Sequence, residues 1–328
     1  MADETSLPAA EPRPRRRLAT ALAARRRPIL LGIFIALLAV LLLYYPVGAL
    51  WIHEIDDDPD FGPGEIQPGA SRAVALAAAL VEREVRQHAW PGNDPWFFPG
   101  TMLDNMPNFQ QGIITALRRF ALEMTDQIGR ARGSSQADPD LEKARSLLGY
   151  AGDVWIWDLS VSWWPTAPTN RQYLAARDAL LGYNLRLEAG SAVFDRRADN
   201  LLATLDRFAA DLGSASASLE QRIEEPGGTL IDMEADDRFY RTKGELYAYS
   251  LLLRELGQDF EPVIRERSLQ KLWGEMLDNL GHAAVLQPWV VVNGAPDSQL
   301  LPSHLAAQGF FLLRARTQLR EITDVLTK

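Results

Sequence analysis

Tryptophan, aspartate and asparagine residues recur in three proline-containing stretches of this sequence. The first is WPGNDPWFFPGTMLDNMPNFQQG, from Trp90 to Gly112, and the other two are VWIWDLSVSWWPTAPTN and QPWVVVNGAPD. Indole rings can stack on a sugar, a peptide or a lipid headgroup, while carboxylate and amide groups orient it by hydrogen bonds. A ligand groove is therefore one hypothesis for these stretches, and its candidate residues are Trp90, Asp94, Trp96, Asp104, Asn105, Asn108, Trp163, Trp164, Trp289 and Asn293.

The same stretches have a structural interpretation. Loops that cross the ends of a helical bundle bury their aromatic rings to seal its core. Prolines at 91, 95, 99 and 107 fix φ and deny the first stretch a continuous helix. Asn108, with Gln111 three residues later, predicts the start of a helix that runs to Ile128. The sequence favours the seal and leaves the groove open.

Carboxylates in these loops suggest a second chemistry, hydrolysis of the cell envelope by a general acid and a partner carboxylate. The candidates in the loops and on adjoining helices are Asp94, Asp104, Asp158, Glu82, Glu84 and Glu123. Their spacing selects no pair, and the sequence lacks a G-x-S-x-G motif, a phosphate loop and a dinucleotide glycine pattern. The sequence therefore favours a non-catalytic protein, with a carboxylate hydrolase as the alternative.

Metal and cofactor chemistry has little support in the sequence. The chain has no cysteine, and its four histidines are scattered without a paired spacing. The acidic runs that begin at Asp56 and Asp232 imitate calcium loops, but residues 67 and 243 are glutamine and lysine where a bidentate acid is needed. We predict neither a metal nor a cofactor, and interpret the runs as solvated spacer or helix-start acids.

Two segments of opposite character open the chain. Residues 1–27 contain seven arginines, three acids and three prolines, which indicates a basic, disordered tail. Residues 28–52 carry no charged side chain and end in tyrosines and a tryptophan, as a transmembrane helix does. The small residues at 47–49 also fit a signal-peptide cleavage site, but the length of the apolar run favours an uncleaved anchor.

The charge distribution predicts the orientation of this span. Arginines precede it and HEIDDDPD follows it, so the positive-inside rule places residues 1–27 in the cytoplasm and the rest of the chain in the periplasm. Residues 53–69 indicate an acidic Pro/Gly linker, and residues 70–328 form the body. The whole chain has a net charge of −9 and the first 27 residues +4, which leaves −13 beyond them and argues against nucleic acid as a partner.

Beyond the linker, apolar residues recur with helical periodicity. In three segments their steps alternate between three and four residues: Leu201, Leu205, Phe208, Leu212, Ala215, Leu219; Leu246, Tyr249, Leu253, Leu256, Phe260; and Leu312, Ala315, Leu319, Ile322, Leu326. Such seams are typical of packed helices. We predict an all-α fold, with a single N-terminal transmembrane helix followed by an extracytoplasmic multi-helix bundle with long proline and aromatic loops.

Three details complete the structural prediction. The seams also allow a homodimer, but Gly213 and the serines that follow it favour packing within one chain. Ser71, Thr169 and Asp195 are predicted N-caps. The run PWVVVN at 288–293 is a short strand-like pattern in an otherwise helical sequence.

Several long motifs carry a resemblance to a known family. They are NDPWFFPGTMLDNMPNFQQG, LLGYAGDVWIWD, DDRFYRTKGELYAYSLLLRELGQDFE, QPWVVVNGAPD and LLPSHLAAQGFFLLRARTQLRE. With these motifs the chain, from the apolar segment to the C-terminus, resembles domain-of-unknown-function family 2333, a family of bacterial single-span membrane proteins. The resemblance implies a bacterial inner-membrane protein with a helical periplasmic portion, and it brings no activity or catalytic residue.

The expected function follows from these features. We predict an inner-membrane protein with its main domain in the periplasm that acts as a non-catalytic envelope scaffold, adaptor or binding module. Besides the membrane itself, an envelope protein, a glycan or a lipid is the expected partner. The groove and the carboxylate hydrolase remain the hypotheses that a structure must examine.

Overall fold

The computed structural model describes residues 14–129, 137–157, 162–225, 232–295 and 301–328. Across these ranges the regular structure is helical, apart from one isolated antiparallel bridge between Asn293 and Ser303. The α-helices are α1 (Pro14–Ile52), α2 (Arg72–Glu82), α3 (Asn105–Glu123), α4 (Pro139–Leu148), α5 (Thr169–Glu188), α6 (Ala198–Glu224), α7 (Met233–Asp259), α8 (Glu261–Glu266), α9 (Gln270–Ala284) and α10 (His304–Leu326). The predicted all-α fold is confirmed.

The chain divides into two compact units, Met1–Trp51 and Ile52–Lys328. The first contains most of α1, whose part Pro28–Ile52 has a mean hydropathy of 2.6 and is long and apolar enough to cross a membrane. A membrane anchor and a signal peptide both have these properties. Residues 14–27 are helical, so the prediction of a disordered tail is wrong for them, and residues 1–13 lie outside the described ranges. Alanines and leucines at 18–24 extend a neighbouring helix at little cost.

In the second unit, α7 lies at the centre of the bundle. It packs most extensively against α3 and also contacts α2, α6, α9 and α10. The three predicted seams on α6, α7 and α10 are buried within this unit. Each buried leucine or phenylalanine contributes about 1.5 to 3 kcal/mol, so these seams account for much of the stability of the bundle. The apolar face of α3 from Ile113 to Phe120 is buried as well, and it continues through Met124 and Ile128 of the π-helical turn at Met124–Ile128.

Helix starts test the predicted caps. The Ser71 hydroxyl accepts from the Val74 amide at the start of α2, which confirms that cap. Thr169 instead lies inside α5 and ties the preceding loop by accepting from the Val154 amide. The prediction for Asp195 is wrong because α6 begins three residues later. The Asp195 carbonyl accepts from the Asn200 side-chain amide. In both wrong predictions, loop contacts determine where the helix begins.

The predicted start at Asn108 is also wrong. Helix α3 begins at Asn105, where the Asp104 carboxylate accepts from the Asn105 amide. Pro107 is tolerated because the first-turn amides of a helix have no intrahelical acceptor. The strand-like run at 288–293 is irregular up to the single bridge at Asn293, since no neighbouring strand is present among the described residues to pair with it.

Candidate functional site

The segment that follows α1 is bound to the body from its first residues. We call residues 54–61 the exit segment. The Glu54 amide donates to Met106 Sδ at 3.3 Å, at the start of α3. Asp57 forms an ion pair with the Lys243 ammonium of α7 at 2.5 Å, and that ammonium also donates to the Leu286 carbonyl at 2.7 Å. The interpretation as solvated spacer acids is therefore wrong for Asp57, whereas Asp58 and Asp60 are exposed as it expects.

Arg83 holds the middle of the exit segment. Its guanidinium is buried, lies 3.2 Å from the Asp56 carboxylate and donates to the Asp56 carbonyl at 3.0 Å. The same group pairs with buried Glu84 and lies 4.3 Å from the centre of the Phe61 ring. Tyr247 of α7 donates to the Asp58 carbonyl at 2.8 Å. Buried charges need such partners, so the segment is part of the folded body.

Exposed apolar side chains flank the exit segment. Gln287 donates to both Asp57 carboxylate oxygens, at 2.7 and 2.9 Å, and the neighbouring Trp289 is fully exposed, as is much of Val290. Met102, four residues before Met106 and in the loop that leads into α3, is 59% exposed. An indole left entirely in water marks an interaction surface when other exposed apolar groups accompany it.

The first two tryptophan-containing loops pack against each other. The Trp90 indole donates to the Gly152 carbonyl at 2.9 Å, and the Asn93 amide donates to the Val154 carbonyl at 3.1 Å. The rings of Phe97 and Trp155 meet edge to face with centres 5.5 Å apart. Trp90 is buried against Tyr173, so this residue seals the core as the structural interpretation describes.

Other tryptophans of these loops point outward. Trp96 is 77% exposed, Trp163 85% and Trp164 80%. Rings as exposed as these project from the surface, whereas a groove would cover most of each ring. Asn293 has a structural contact, because its amide donates to the Arg222 carbonyl at the end of α6. The candidate groove residues thus divide between core contacts, projecting rings and the polar group described next.

Three candidate groove residues, Asp104, Asn105 and Asn108, lie beside the acids Asp236 and Asp237 of α7. Asn108 donates to Asp237 at 2.7 Å, and Asn105, with its amide oriented to donate, bonds Asp236 and Asp104. Burial, followed by the nearby charges of Asp104 and Asp237, raises the pKa of Asp236 to about 6. This cluster ties the start of α3 to α7, and the described residues contain no group of three or more His, Cys, Asp or Glu that could hold a metal ion.

The carboxylates proposed for hydrolysis lie in separate environments. Burial alone raises the pKa of Asp94 to about 6, with no charged neighbour contributing. A Cβ atom on Gly100 would lie only 2.1 Å from its Oδ2, so the carboxylate is packed against that loop backbone. Asp104 caps α3, Glu84 pairs with Arg83, and Asp158 lies outside the described residues. Glycosidase chemistry needs two carboxylates facing one bond, and the described contacts join no such pair here.

A cavity of about 490 Å³ lies between α3, α6 and α7. Each helix lines it with four residues spaced i, i+3, i+4 and i+7, which is one face of a helix. The lining residues are Thr115, Arg118, Arg119, Leu122, Asp211, Ser214, Ala215, Ser218, Arg238, Arg241, Thr242 and Glu245. Four arginines and two acids therefore share one cavity with four hydroxyl groups.

Ion pairs hold the wall of this cavity. Arg119 binds Asp211 through two nitrogens, at 2.7 and 2.9 Å, and the buried Tyr249 hydroxyl donates to Asp211 at 2.8 Å. Arg238 bonds the Ser218 carbonyl and the Glu234 carboxylate. Burial raises the pKa of Glu245 to about 7, although Arg241 opposes the shift. Arg118 and Arg241 are exposed and donate no hydrogen bond to a described residue.

A sequence model of one family, described as an uncharacterized protein conserved in bacteria, matches residues 71–231. Over these residues the chain is similar to that family. The match begins at the Ser71 cap and covers α2 to α6, which includes the first two aromatic loops and two helices of the cavity. No curated protein and no solved structure matches the chain.

The match supports the resemblance over residues 71–231. For the motifs beyond residue 231, the resemblance to the family remains a prediction from the sequence. The cavity was missed by sequence reasoning. Its signal was available, since each of the three helices carries a polar i, i+3, i+4, i+7 stripe beside its apolar seam. A polar stripe ordinarily faces water, so only the packing of the helices distinguishes a cavity wall from a solvated face.

Proposed function

We propose that the protein is a single-span bacterial inner-membrane protein whose helical body is held at the periplasmic face as a non-catalytic scaffold, adaptor or binding module. One observation carries this proposal: the exit segment is bound to α3 and α7 from Glu54 onward. The apolar segment of α1 ends at Ile52, so almost no free chain separates it from the body. The arginines before the span and the acids after it support this orientation.

The length of free chain decides how far the body can reach. A flexible linker of residues 53–69 would extend about 55 Å and let the body sample the periplasm. With the exit segment bound to Arg83, Lys243 and Tyr247, that reach is lost. Trp289 is an exposed indole, a side chain that a membrane interface favours. A body held in this way suits a fixed platform.

The hydrolase hypothesis has less support. An enzyme that cuts the cell wall needs reach as well as two facing carboxylates, whereas Asp94 is packed against Gly100 and Asp104 caps a helix. The projecting rings of Trp96, Trp163 and Trp164 offer contact area without a catalytic group. Recognition by rigid aromatic side chains is typical of protein and glycan interfaces.

The platform hypothesis is tested by crosslinking in bacterial cells followed by purification of the full chain in detergent. The control is a chain that ends at residue 52. We expect an envelope protein, glycan or lipid to be enriched over that control, and to be lost in a Trp96→Ser, Trp163→Ser, Trp164→Ser variant that retains its helical content. Enrichment that is equal for the full chain and for the control would contradict the proposal.

Topology is tested separately. A reporter that is active only outside the cytoplasm, fused after Lys328, is expected to give signal. The mass of the mature protein should include residues 1–52. An expressed but silent fusion would overturn the orientation, and a product cleaved after Ala49 would overturn the anchor.

A further inference from the structure

The cavity between α3, α6 and α7 has a charge opposite to that of the body. Its four arginines and two acids give it an excess of positive charge, whereas the chain beyond residue 27 has a net charge of −13, since the whole carries −9 and the first 27 residues +4. Arginines concentrated in one concave place within an acidic protein attract and orient anions. This excess does not follow from a general surplus of basic residues.

Two of the arginines are available to a ligand. Arg119 and Arg238 are engaged by Asp211 and Glu234, respectively, and serve as fixed walls. Arg118 on α3 and Arg241 on α7 are exposed, line the cavity and donate no hydrogen bond to a described residue. The Arg118 guanidinium also lies beside Gly149 at the end of α4. A guanidinium presents a planar fork of donors that matches the oxygens of a phosphate.

The walls are arranged before any ligand arrives. The Asp211 carboxylate is held by Arg119 and by the buried Tyr249 hydroxyl, so α6 and α7 are joined at the base of the cavity. Helices α3 and α7 approach closely beside it, because a Cβ atom on Gly112 would lie 2.1 Å from the Arg241 carbonyl oxygen. A site built on packed helices loses little entropy when it binds.

The volume and the donors define the ligand class. About 490 Å³ lies within the usual range for small-molecule sites. The geometry points to binding of a phosphate-bearing small molecule or headgroup in this cavity, with Arg118 and Arg241 as the principal phosphate contacts. The Ser218 and Thr242 hydroxyls that line the cavity can donate to further ligand oxygens, whereas those of Thr115 and Ser214 already donate to carbonyls of their own helices. This site goes beyond the platform function, because its ligand contacts lie on helix faces that the aromatic loops do not include.

The protonation of Glu245 supports this class of ligand. Burial raises the pKa of this carboxyl to about 7, so it is neutral in mildly acidic solution, where it can donate a hydrogen bond. The other charged groups that line the cavity are Arg118 and Arg119 on α3, Asp211 on α6, and Arg238 and Arg241 on α7. Ionised Glu245 would repel a phosphate, so binding should weaken as the pH rises above about 7.

The test uses the full chain in nanodiscs of phosphatidylcholine, titrated with inorganic phosphate and with glycerol phosphate by calorimetry at constant ionic strength. We expect saturable binding that weakens at least tenfold in an R118Q/R241Q variant. The control is R171Q/R265Q, which removes the same charge from exposed arginines on α5 and α8 and should bind like the natural chain. An R241K variant, which keeps the charge and loses the fork, should bind with intermediate affinity.

Two results would overturn the site: no saturable binding by the natural chain, or equal weakening by both double variants. Circular dichroism establishes whether each variant is folded. If R118Q/R241Q is unfolded, the affinity of R241K for phosphate, compared with that of the natural chain, tests the site instead. Nanodiscs with phosphatidylglycerol distinguish the source of the phosphate. If phosphatidylglycerol competes with soluble phosphate, the site binds a lipid headgroup. If the two do not compete, the site binds a soluble ligand. Failure here leaves the crosslinking result of the platform hypothesis unaffected, because that test removes different residues.

Discussion

Gly112 on α3 faces Gly244 on α7 at the closest approach of the two helices. A Cβ atom on Gly112 would lie 3.0 Å from the Gly244 Cα, and one on Gly244 would lie 1.9 Å from the Phe109 carbonyl oxygen. These obstacles are backbone atoms, which cannot rotate away. The absence of both side chains therefore allows the extensive packing of α3 on α7 and brings their polar stripes to one cavity.

Replacing either glycine by alanine should separate the helices. We expect Gly244→Ala to lower the free energy of unfolding by about 1 to 3 kcal/mol, as overpacking of a core does. The matched control is Gly274→Ala on α9, where an added Cβ atom would meet no atom within 4 Å. That change should stabilise by about 0.5 to 1 kcal/mol, because alanine is the better helix former. Urea unfolding of the full chain in detergent measures both, and equal effects would contradict the close crossing.

The ion pair between Lys243 and Asp57 should hold the exit segment. Burial lowers the pKa of Lys243 although Asp57 opposes the shift, so its charge depends on the carboxylate and on the Leu286 carbonyl. Asp57→Asn leaves a buried ammonium without its partner and should destabilise the body by about 3 to 5 kcal/mol. Asp57→Asn combined with Lys243→Met should recover part of that loss.

An exposed pair provides the control for this prediction. Lys271 and Glu275 form an i, i+4 pair on α9, and Glu275→Gln should cost about 0.5 kcal/mol or less. Thermal unfolding of the four proteins at one pH is the measurement. If Asp57→Asn costs no more than Glu275→Gln, the exit segment is a free linker after all.

Trp289 should lie at the membrane surface if the body is held there. The chain has no cysteine, so Trp289→Cys introduces a unique site for an environment-sensitive fluorophore. In nanodiscs we expect a blue-shifted emission that is quenched by nitroxide-labelled lipids. Leu185→Cys, an exposed position on α5, should remain unquenched. Equal quenching at both positions, or none at 289, would count against the fixed platform.

Glu245 should make stability depend on pH. Its folded pKa of about 7 lies above the ordinary value of 4.5, so between these values the folded chain holds a proton that the unfolded chain releases. The free energy of unfolding therefore falls as the pH rises through this window. Glu245→Gln should raise the melting temperature more at pH 8 than at pH 4.5. Glu220→Gln, at an exposed position on α6, should change it equally at the two values. A pH-independent effect of Glu245→Gln would refute the shift.

Local sequence properties predicted the helices well. The seams on α6, α7 and α10 follow from the spacing of apolar residues, and Ser71 was recognisable as a cap from its place before such a run. Thr169 and Asp195 looked equally suitable, yet Thr169 bonds the amide of Val154 in the preceding loop, and the Asp195 carbonyl accepts from Asn200 in the first turn of α6. A cap residue is compatible with a start, but the surrounding loop selects among compatible positions.

The sequence by itself determined the apolar segment of α1, the helical character of the body and the opposite charges on either side of that segment, because composition and periodicity are properties of contiguous residues. Only the tertiary structure decided that Asp57 meets Lys243 across 186 residues, that Trp90 is buried while Trp163 projects, and that three polar stripes face one another. Each of these depends on which helix faces pack together. The buried charges of Arg83 and Lys243 then select their partners, because an unpaired charge in the core costs several kcal/mol.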